Sequence, residues 1–377
     1  MDNEEFIKLI NDPDGSAARL LGDLRGKKGK FFLCLGATET SDRDDISAAG
    51  ATPEMRRLTA AIDAEALVAG KTISHPTLPV SPRGIVSPVV ITRACLELLD
   101  IDVAVVDCGT FAPPAVHALR AGDKVAKCVS TGQALLLDDV ASLFARGKSV
   151  GREDSHECDF VVVAECVPGG TTTAMGVLTA LGWDVGDVLS SSLPQSNHGA
   201  RRKLVIDGLK RSGWALEELQ KHPFSAVAAV GDTMQPFAAG LAIGAGEHVP
   251  VILAGGSQML AVFALIQAFQ ATLPTTFVKA SSLPVVATTK WVAFDPTAKT
   301  GELSVRIGAP YLASAPNFQH SRHPGLRVYE EGNVKEGVGA GAAMMLARAA
   351  GGATPEQIQS AIDDTYDELV GTLSPTT

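Results

Sequence analysis

Short runs of aliphatic and β-branched residues recur along this chain, and they constrain its fold more than any other feature. The earlier runs are almost continuously apolar, which is typical of strands buried on both faces of a parallel sheet. Helical segments separate most of them. This alternation predicts an α/β fold with a doubly wound, mostly parallel, Rossmann-like sheet in three layers. The predicted strands are 30–36, 102–109, 159–165, 226–232, 249–256 and 284–295, and the predicted helices are 89–99, 172–181, 201–212, 235–245 and 259–269.

Both ends of the chain differ from this pattern. Residues 4–21 lean towards helix, with a break at Pro13. Near the other end, Thr354 is a suitable N-cap and Pro355 suits the first helical position. The polar segment 38–50 is predicted to be a mobile loop. The predicted division is a large α/β nucleotide-binding domain at 26–336 and a small lobe of helical segments at 1–25 and 337–377.

Charge and composition argue against a nucleic-acid partner. The chain carries 42 acidic and 32 basic residues, a net charge of −10, and only 5% aromatic residues. Wide contact with a polyanion and stacking on bases are both disfavoured by these values. An anionic small ligand would therefore need a local positive pocket. Hydrophobic residues make up 46% of the 377 residues, enough for a sizeable core.

The cysteines and the N-terminus predict a cytoplasmic protein. The six cysteines are widely spaced without a Cys-x-x-Cys pair, so we expect buried thiols in a reducing compartment. His320 and His323 lack neighbouring thiolates, and we expect no metal site there. The N-terminus has no apolar signal-peptide core. The uncharged stretch 249–278 contains Pro250, glycines and glutamines, which favours strand, turn and buried helix over a membrane span.

Residues 335–342, Lys-Glu-Gly-Val-Gly-Ala-Gly-Ala, place one carboxylate in a glycine-rich turn before an apolar helix predicted at 342–350. A helix start leaves backbone N–H groups unpaired and carries partial positive charge, so it suits an anion. Glu336 is therefore a candidate general base for a ligand bound there. Gly337 is a candidate backbone contact. The alternative is that Glu336 only complements the helix dipole and the glycines only cap the helix.

A second glycine-rich helix start follows Glu165, the last residue of a predicted strand. Amide and hydroxyl donors for a phosphate or a ribose are offered there by Gly169, Gly170, Thr171 and Thr172. The segment is not a P-loop, because no Lys-Ser/Thr follows the glycines. The alternative is that the threonines merely cap a core helix.

In an open α/β sheet, ligands bind outside the carboxyl ends of the strands. That rule nominates Asp107-Cys108-Gly109, Glu165, Gly231-Asp232 and Gly255-Gly256. Two basic clusters offer local positive charge for a phosphate. They are Arg201-Arg202-Lys203, which follows the serines 190–192, and residues 321–327. The alternatives are a solvated basic turn for the first cluster and an exposed loop for the second.

In chain order these segments resemble the nicotinate-nucleotide:dimethylbenzimidazole phosphoribosyltransferase family, specifically its archaeal and cyanobacterial-type branch. Residues 165–174 resemble the family's Gly-Glu-Met-Gly-Ile-Gly-Asn-Thr-Thr-Ala motif. Residues 231–256 resemble a Gly-Gly-x-Glu helix followed by a strand that ends in Asp-Gly. Residues 321–327 and 336–339 resemble Ser-x-Glu-Pro-Gly-His-Arg and Gly-Glu-Gly-Thr-Gly. The resemblance covers residues 75–350.

The resemblance implies phosphoribosyl transfer from nicotinate mononucleotide to a lower-ligand base, giving an α-ribotide and nicotinate in cobalamin nucleotide-loop assembly. It implies that Glu336 takes a proton from the base, that Glu165 lies near the ribose or the reacting centre, and that Lys203 contacts the phosphate. It implies a homodimer and no metal or redox cofactor. The candidate substrate-binding residues are Gly169, Gly170, Thr171, Thr172, Lys203, Gly231, Asp232, Gly255, Gly256, Ser321 and Gly337.

Three departures from the family pattern leave the acceptor base open, as does the N-terminal third, which helps build the base pocket in the bacterial enzymes and aligns poorly here. Gly170 replaces an asparagine, Val167-Pro168 alters the loop, and Gly255 stands where aspartate is usual. The acceptor is dimethylbenzimidazole, adenine or another lower-ligand base. Two other functions also stay open. One is a different nucleotide-dependent transferase or N-glycosidic hydrolase on the same fold, and the other is a non-catalytic nucleotide-binding regulator.

Overall fold

A computed structural model describes residues 6–44, 46–81, 83, 85–195, 197–273 and 283–370. These residues contain the strands β1 (Ile7–Asn11), β2 (Gly29–Leu35), β3 (Ile101–Asp107), β4 (Leu119–Arg120), β5 (Phe160–Cys166), β6 (Val251–Ala254), β7 (Val285–Thr289) and β8 (Tyr311–Ser314). They form one sheet in the order β1-β8-β7-β6-β5-β2-β3-β4. All neighbouring strands are parallel except β1 and β8, which pair antiparallel at one edge.

Helices cover both faces of this sheet, as the alternation of strand and helix predicts. They are α1 (Ser16–Asp23), α2 (Pro53–Ala69), α3 (Val89–Glu97), α4 (Leu137–Asp154), α5 (Gly170–Ala180), α6 (His198–Arg211), α7 (Leu216–Leu219), α8 (Pro223–Val230), α9 (Met234–Ala245), α10 (Ser257–Thr272), α11 (Lys290–Ala293), α12 (Thr300–Ile307), α13 (Pro324–Arg327), α14 (Ala340–Ala349) and α15 (Pro355–Val370).

The sheet separates two apolar cores. In β2, Phe32 and Cys34 face one core, whereas Phe31, Leu33 and Leu35 face the other, because successive side chains of a strand point to opposite faces. Burial on both faces explains why the central strands are continuously apolar in sequence. The predicted doubly wound α/β fold is confirmed.

The N-terminal segment differs from the prediction of helix at 4–21. Ile7–Asn11 is the edge strand β1, and Ile7 lies opposite Ser314 of β8. The strand that pairs with β1 lies some 300 residues away in sequence, so no local sequence pattern indicates that β1 is a strand. Helix follows only at Ser16–Asp23. The division into a large domain and a terminal lobe stays a prediction.

The predicted strand at 226–232 is wrong. Pro223–Val230 forms helix α8, with Pro223 in its first turn, a position that proline favours. Its short apolar run fits a buried helix as well as a strand, and it packs against α4 and α5. Gly231-Asp232 therefore follows a helix, not a strand. The predicted strand at 284–295 is correct only as far as Thr289, where α11 replaces it.

The uncharged stretch 249–278 is a strand, a turn and a buried helix, as predicted. β6 ends at Ala254, the glycines at 255 and 256 make the turn, and α10 follows. The stretch's last part, 274–278, lies outside the described residues. Within the described ranges, no helix is both long and apolar enough to cross a membrane.

Candidate active site

The candidate active site is a cavity at the carboxyl ends of the central strands. The chain adds β3 and β4 on one side of β2, then returns to place β5 on the other side, and ligands bind at such switch points of open α/β sheets. The space in and above the cavity amounts to about 890 Å³, which includes open solvent. Its lining residues are 46–50, Thr59, Asp63, 79–81, 85–88, 165–171, 190–192, 256–258, Val292 and 334–338.

Glu336 reaches this cavity from the turn before α14. Its Oε1 accepts hydrogen bonds from the backbone N–H groups of Gly337 and Gly341, both at 3.2 Å. Its Oε2 accepts one from the Thr288 hydroxyl, at 3.1 Å, near the end of β7. Burial raises the pKa of Glu336 to about 7, although these hydrogen bonds oppose the shift. The carboxylate is thus fixed in orientation and able to exchange a proton near neutral pH.

The backbone around Glu336 is strained. Val334, Lys335 and Val338 have φ values of 63°, 64° and 56°, in the left-handed region that β-branched residues rarely adopt. Such residues persist only where the surrounding structure holds them, and they concentrate at functional sites. One restraint is a hydrogen bond from the N–H of Val338 to the carbonyl of Glu165, at 3.0 Å. This bond ties the Glu336 turn to the end of β5.

Glu165 is the second buried carboxyl group of the cavity. Burial, followed by repulsion from Glu336, raises its pKa to about 8. Its Oε2 accepts hydrogen bonds from Nε2 of Gln258 at 2.7 Å and from the N–H of Val167 at 3.2 Å. The pKa values of both carboxyl groups are thus raised into the neutral range. One of the pair is therefore able to accept a proton while the other carries one.

Two helix N-termini meet at one wall of the cavity, next to Glu165. The N-termini of α5 and α10 both reach it, at Gly170 and Ser257, and helix N-termini attract negative charge. The two helix starts lie very close, because a Cβ on Gly170 would fall 1.8 Å from Oε1 of Gln258. Lys335 also lines the cavity, buried and paired with Asp295. The positive potential at this wall comes from the helix N-termini, because the Lys335 ammonium is already paired with Asp295.

A family model described as phosphoribosyltransferase, DBI_PRT, matches residues 91–282, slightly more than half of the chain. The chain belongs to this phosphoribosyltransferase family. Cyanobacterial proteins named UPF0284 are similar to this chain along most of its length. The protein from Gloeobacter violaceus is 44% identical over 345 residues, 91% of this chain and 89% of that protein. The protein from Microcystis aeruginosa is 44% identical over 321 residues, 84% of this chain and 86% of that protein.

The fold of this phosphoribosyltransferase is similar to crystal structures of proteins from Thermus thermophilus. CobT superposes with a TM-score of 0.59 at 14% identity, over 98% of this chain and 96% of that chain. A nicotinate-nucleotide-dimethylbenzimidazole phosphoribosyltransferase superposes with a TM-score of 0.57 at 13% identity, over 99% and 96%. At this identity the likeness concerns the fold, which agrees with the predicted architecture. The resemblance to the family, first seen in the sequence motifs, is confirmed.

The cavity brings together seven of the thirteen residues that the sequence nominated for the phosphoribosyltransferase site. They are Glu165, Gly169, Gly170, Thr171, Gly256, Glu336 and Gly337. Gly255 lies directly behind the lining, since a Cβ there would fall 3.6 Å from Oε1 of Glu165. Thr172, Gly231 and Asp232 are buried and are not among the lining residues. Asp232 is buried, and it accepts hydrogen bonds from Thr173 and from the N–H groups of Met234 and Gln235.

Two nominated residues lie away from the cavity lining. The side chain of Lys203 is 76% exposed and pairs with Asp207 one turn along α6, at 2.6 Å, so it does not contact the cavity of this chain. The Ser321 hydroxyl is buried and donates to Asp363 of α15 at 2.6 Å, which is a structural role. At the end of β3, the Asp107 carboxylate is likewise used within the chain, because it accepts a hydrogen bond from the N–H of Gly109 at 2.9 Å.

Several site residues were not nominated from the sequence. The segment 38–50, predicted to be a mobile loop, contains a turn at Glu39–Asp42 in which Thr40 and Ser41 are buried, and its residues 46–50 line the cavity. Gln258 and Thr288, which hold the two glutamates, sit at element ends without a distinctive motif. Asp63 lies on α2, a helix that was not predicted. The one signal for Asp63 in the sequence was an acidic residue directly after the apolar run Ala60-Ala61-Ile62.

Proposed function

We propose that this phosphoribosyltransferase moves the phosphoribosyl group of nicotinate mononucleotide to a ring nitrogen of an aromatic base, dimethylbenzimidazole or a purine such as adenine. The products are nicotinate and an α-ribotide for cobalamin nucleotide-loop assembly. The supporting observation is a carboxyl pair, the half-buried Glu336 and the buried Glu165, in one cavity with converging helix N-termini. A proton acceptor beside an anion cradle is what this reaction requires.

In the proposed reaction the base nitrogen attacks C1 of the ribose on the face opposite nicotinate. The C1–N bond to nicotinate breaks, and its electron pair returns to the pyridinium ring, which leaves as neutral pyridine nitrogen. Configuration at C1 changes from β to α. Glu336 removes the N–H proton of the attacking ring, for which its pKa of about 7 is well suited.

Glu165 would act on the sugar rather than on the base. Positive charge develops on the ribose ring as the bond to nicotinate breaks, and an ionised carboxylate stabilises it. The pyridinium of the bound nucleotide is itself cationic, so its arrival favours the ionised form of Glu165. Gln258 holds the carboxyl in place through its hydrogen bond to Oε2.

The phosphate of the nucleotide would bind where α5 and α10 begin. Gly169 and Thr171 offer backbone donors on one side, and Gly256 does so on the other. The N–H of Gly170 already donates to the carbonyl of Val167, at 2.9 Å. The buried Lys335 lines the same cavity, where its charge is balanced by Asp295. This arrangement supplies the local positive potential that a protein of net charge −10 needs for an anionic substrate.

We further propose that the enzyme works as a cytoplasmic homodimer. The six cysteines are all unpaired and four of them are buried, which supports a reducing compartment. The homodimer is supported by the family resemblance. Light scattering of the purified protein tests it, and a monomer at micromolar concentration would contradict it.

The test of the reaction is incubation with nicotinate mononucleotide and a panel of bases, with nicotinate and ribotide measured by mass. Glu336→Gln should bind the nucleotide in a thermal-shift titration but lower turnover by about two to four orders of magnitude. Glu331→Gln, an exposed glutamate in the neighbouring turn, is the matched control and should keep wild-type turnover. Equal activity of the two variants would remove Glu336 from the mechanism. Nicotinate release at the same rate in water without any base would identify a hydrolase instead.

A further inference from the structure

Asp63 of α2 is a third buried carboxyl group in the cavity wall. The residue is 2% exposed and lines the cavity. Its Oδ2 accepts a 3.4 Å hydrogen bond from the Cys166 thiol, whereas its Oδ1 has no hydrogen-bond partner in the described part of the chain. A buried carboxylate oxygen without a donor costs free energy. A donor supplied by a ligand would remove that cost.

Asp63 belongs to the same end of the cavity as Glu336. Ser87 lies near the Asp63 carboxyl and opposes the rise of its pKa, and the next residue, Pro88, lies 3.4 Å from where a Cβ of Gly337 would be. Both carboxyl groups also act on the Tyr329 hydroxyl, whose pKa is raised by burial and then by the charges of Asp63 and Glu336. The two acids therefore border a common space.

The walls of that space are apolar. Val86, Pro88 and Val338 line the same cavity as the two acids, and such surfaces suit the faces of a flat aromatic ring. A ring between them would present one edge to Glu336 and another edge to Asp63. A polar group at the second edge would meet an unpaired oxygen, whereas an alkyl group there would leave that oxygen unsatisfied.

We propose that Asp63 selects the acceptor base by hydrogen-bonding an N–H group on the ring edge remote from the attacking nitrogen. This inference rests on the proposed phosphoribosyl transfer. It assigns the acceptor to the amino-substituted bicyclic azoles, of which adenine is an example, rather than to dimethylbenzimidazole, whose remote edge carries only methyl groups. Asp63 is a specificity residue in this scheme, and proton removal stays with Glu336.

The chemistry gives the expected size of the effect. A hydrogen bond from an N–H group to a carboxylate is stronger than one between neutral groups. A site built to bond a polar group rejects analogues that lack it, because its own group is then left unpaired. We expect kcat/KM for adenine to exceed that for unsubstituted purine by about tenfold to a hundredfold. Burial raises the pKa of Asp63 to about 7, so the contact should strengthen above neutral pH.

The test measures kcat/KM with adenine, purine, benzimidazole and dimethylbenzimidazole at a fixed saturating concentration of nicotinate mononucleotide. Wild-type enzyme should prefer adenine to purine. Asp63→Leu should abolish that preference and improve dimethylbenzimidazole relative to benzimidazole, while the KM for the nucleotide stays within about threefold. Asp138→Leu, at an exposed position in the first turn of α4, is the control and should leave all ratios unchanged.

Asp63→Asn covers the case in which the leucine variant does not fold, because asparagine keeps the shape of the side chain. It should reduce the ratio of the adenine rate to the purine rate. Equal wild-type rates with adenine and purine, or a ratio unchanged by both substitutions, would overturn the assignment of Asp63. Absence of nicotinate release with every base would instead overturn the proposed reaction itself.

Discussion

Replacing Glu165 by glutamine should stabilise the folded protein increasingly as the pH rises. Burial and the nearby Glu336 raise the pKa of Glu165 from 4.5 to about 8. The folded protein therefore keeps a proton that the unfolded chain releases. Because the unfolded state binds fewer protons in this window, the free energy of unfolding falls as the pH rises from 4.5 towards 8. Glutamine does not titrate, so the variant lacks this fall.

The size of the effect follows from the two pKa values. One pKa unit corresponds to ~1.4 kcal/mol, and most of the shift from 4.5 to about 8 takes effect between pH 5 and pH 8. The variant should therefore gain roughly 3 kcal/mol over wild type across that range. Glutamine preserves the shape of the side chain, and its oxygen can still accept from Gln258 and Val167. Little packing is lost.

Urea unfolding at about pH 5, 6.5 and 8, followed by the fluorescence of the three tryptophans, measures the change through midpoints and slopes. Glu217→Gln is the control, since Glu217 is exposed on α7. It should shift stability by less than about 0.5 kcal/mol at every pH. A difference between Glu165→Gln and wild type that stays constant from pH 5 to pH 8 would refute the reasoning. Activity of the variant should fall although its stability rises.

Other perturbations of the cavity should give distinct results. The wild-type kcat/KM should fall about tenfold for each pH unit below 7, because the proposed base Glu336 must be ionised; a flat profile to pH 5.5 would contradict this role. Gly170→Ala should lower kcat/KM by about tenfold or more, because the new Cβ displaces Gln258. Gly199→Ala, where a Cβ meets nothing within 4 Å, should keep the wild-type rate, and equal rates of the two alanine variants would argue against the contact. Lys203→Ala should change the nucleotide KM by less than about twofold, since the side chain is exposed and paired within its own helix. A tenfold higher KM would restore its implied phosphate contact.

The central architecture was predictable because its signals are local. The apolar runs of β2, β3, β5 and β6 and the helical spacing of the segments between them are visible within short windows. The edge strand β1 was not predictable in this way, because its pairing partner is distant in sequence. The apolar run of α8 was ambiguous, because a short buried helix and a short buried strand have the same composition.

The same distinction applies to the candidate site. Glu165 and Glu336 were found from the sequence because each stands at the end of an element beside glycines. Asp63 was not found, because its importance comes from a cavity formed by segments distant in sequence. Lys203 was nominated from a basic cluster at a helix start. Such a cluster looks the same in sequence whether the helix turns it to a cavity or to solvent, and only packing decides this.

Two kinds of destabilising feature coincide at this cavity. Val334 and Val338 hold positive φ values, at a cost of about 1–3 kcal/mol each. Glu165 and Asp63 are buried acids whose raised pKa values lower stability at neutral pH. Glycine at the two valines would relieve the backbone strain, and amides at the two acids would remove the buried charges. Folding does not require any of the four features. Their convergence around Glu336 is what a site held in one geometry for proton transfer would show.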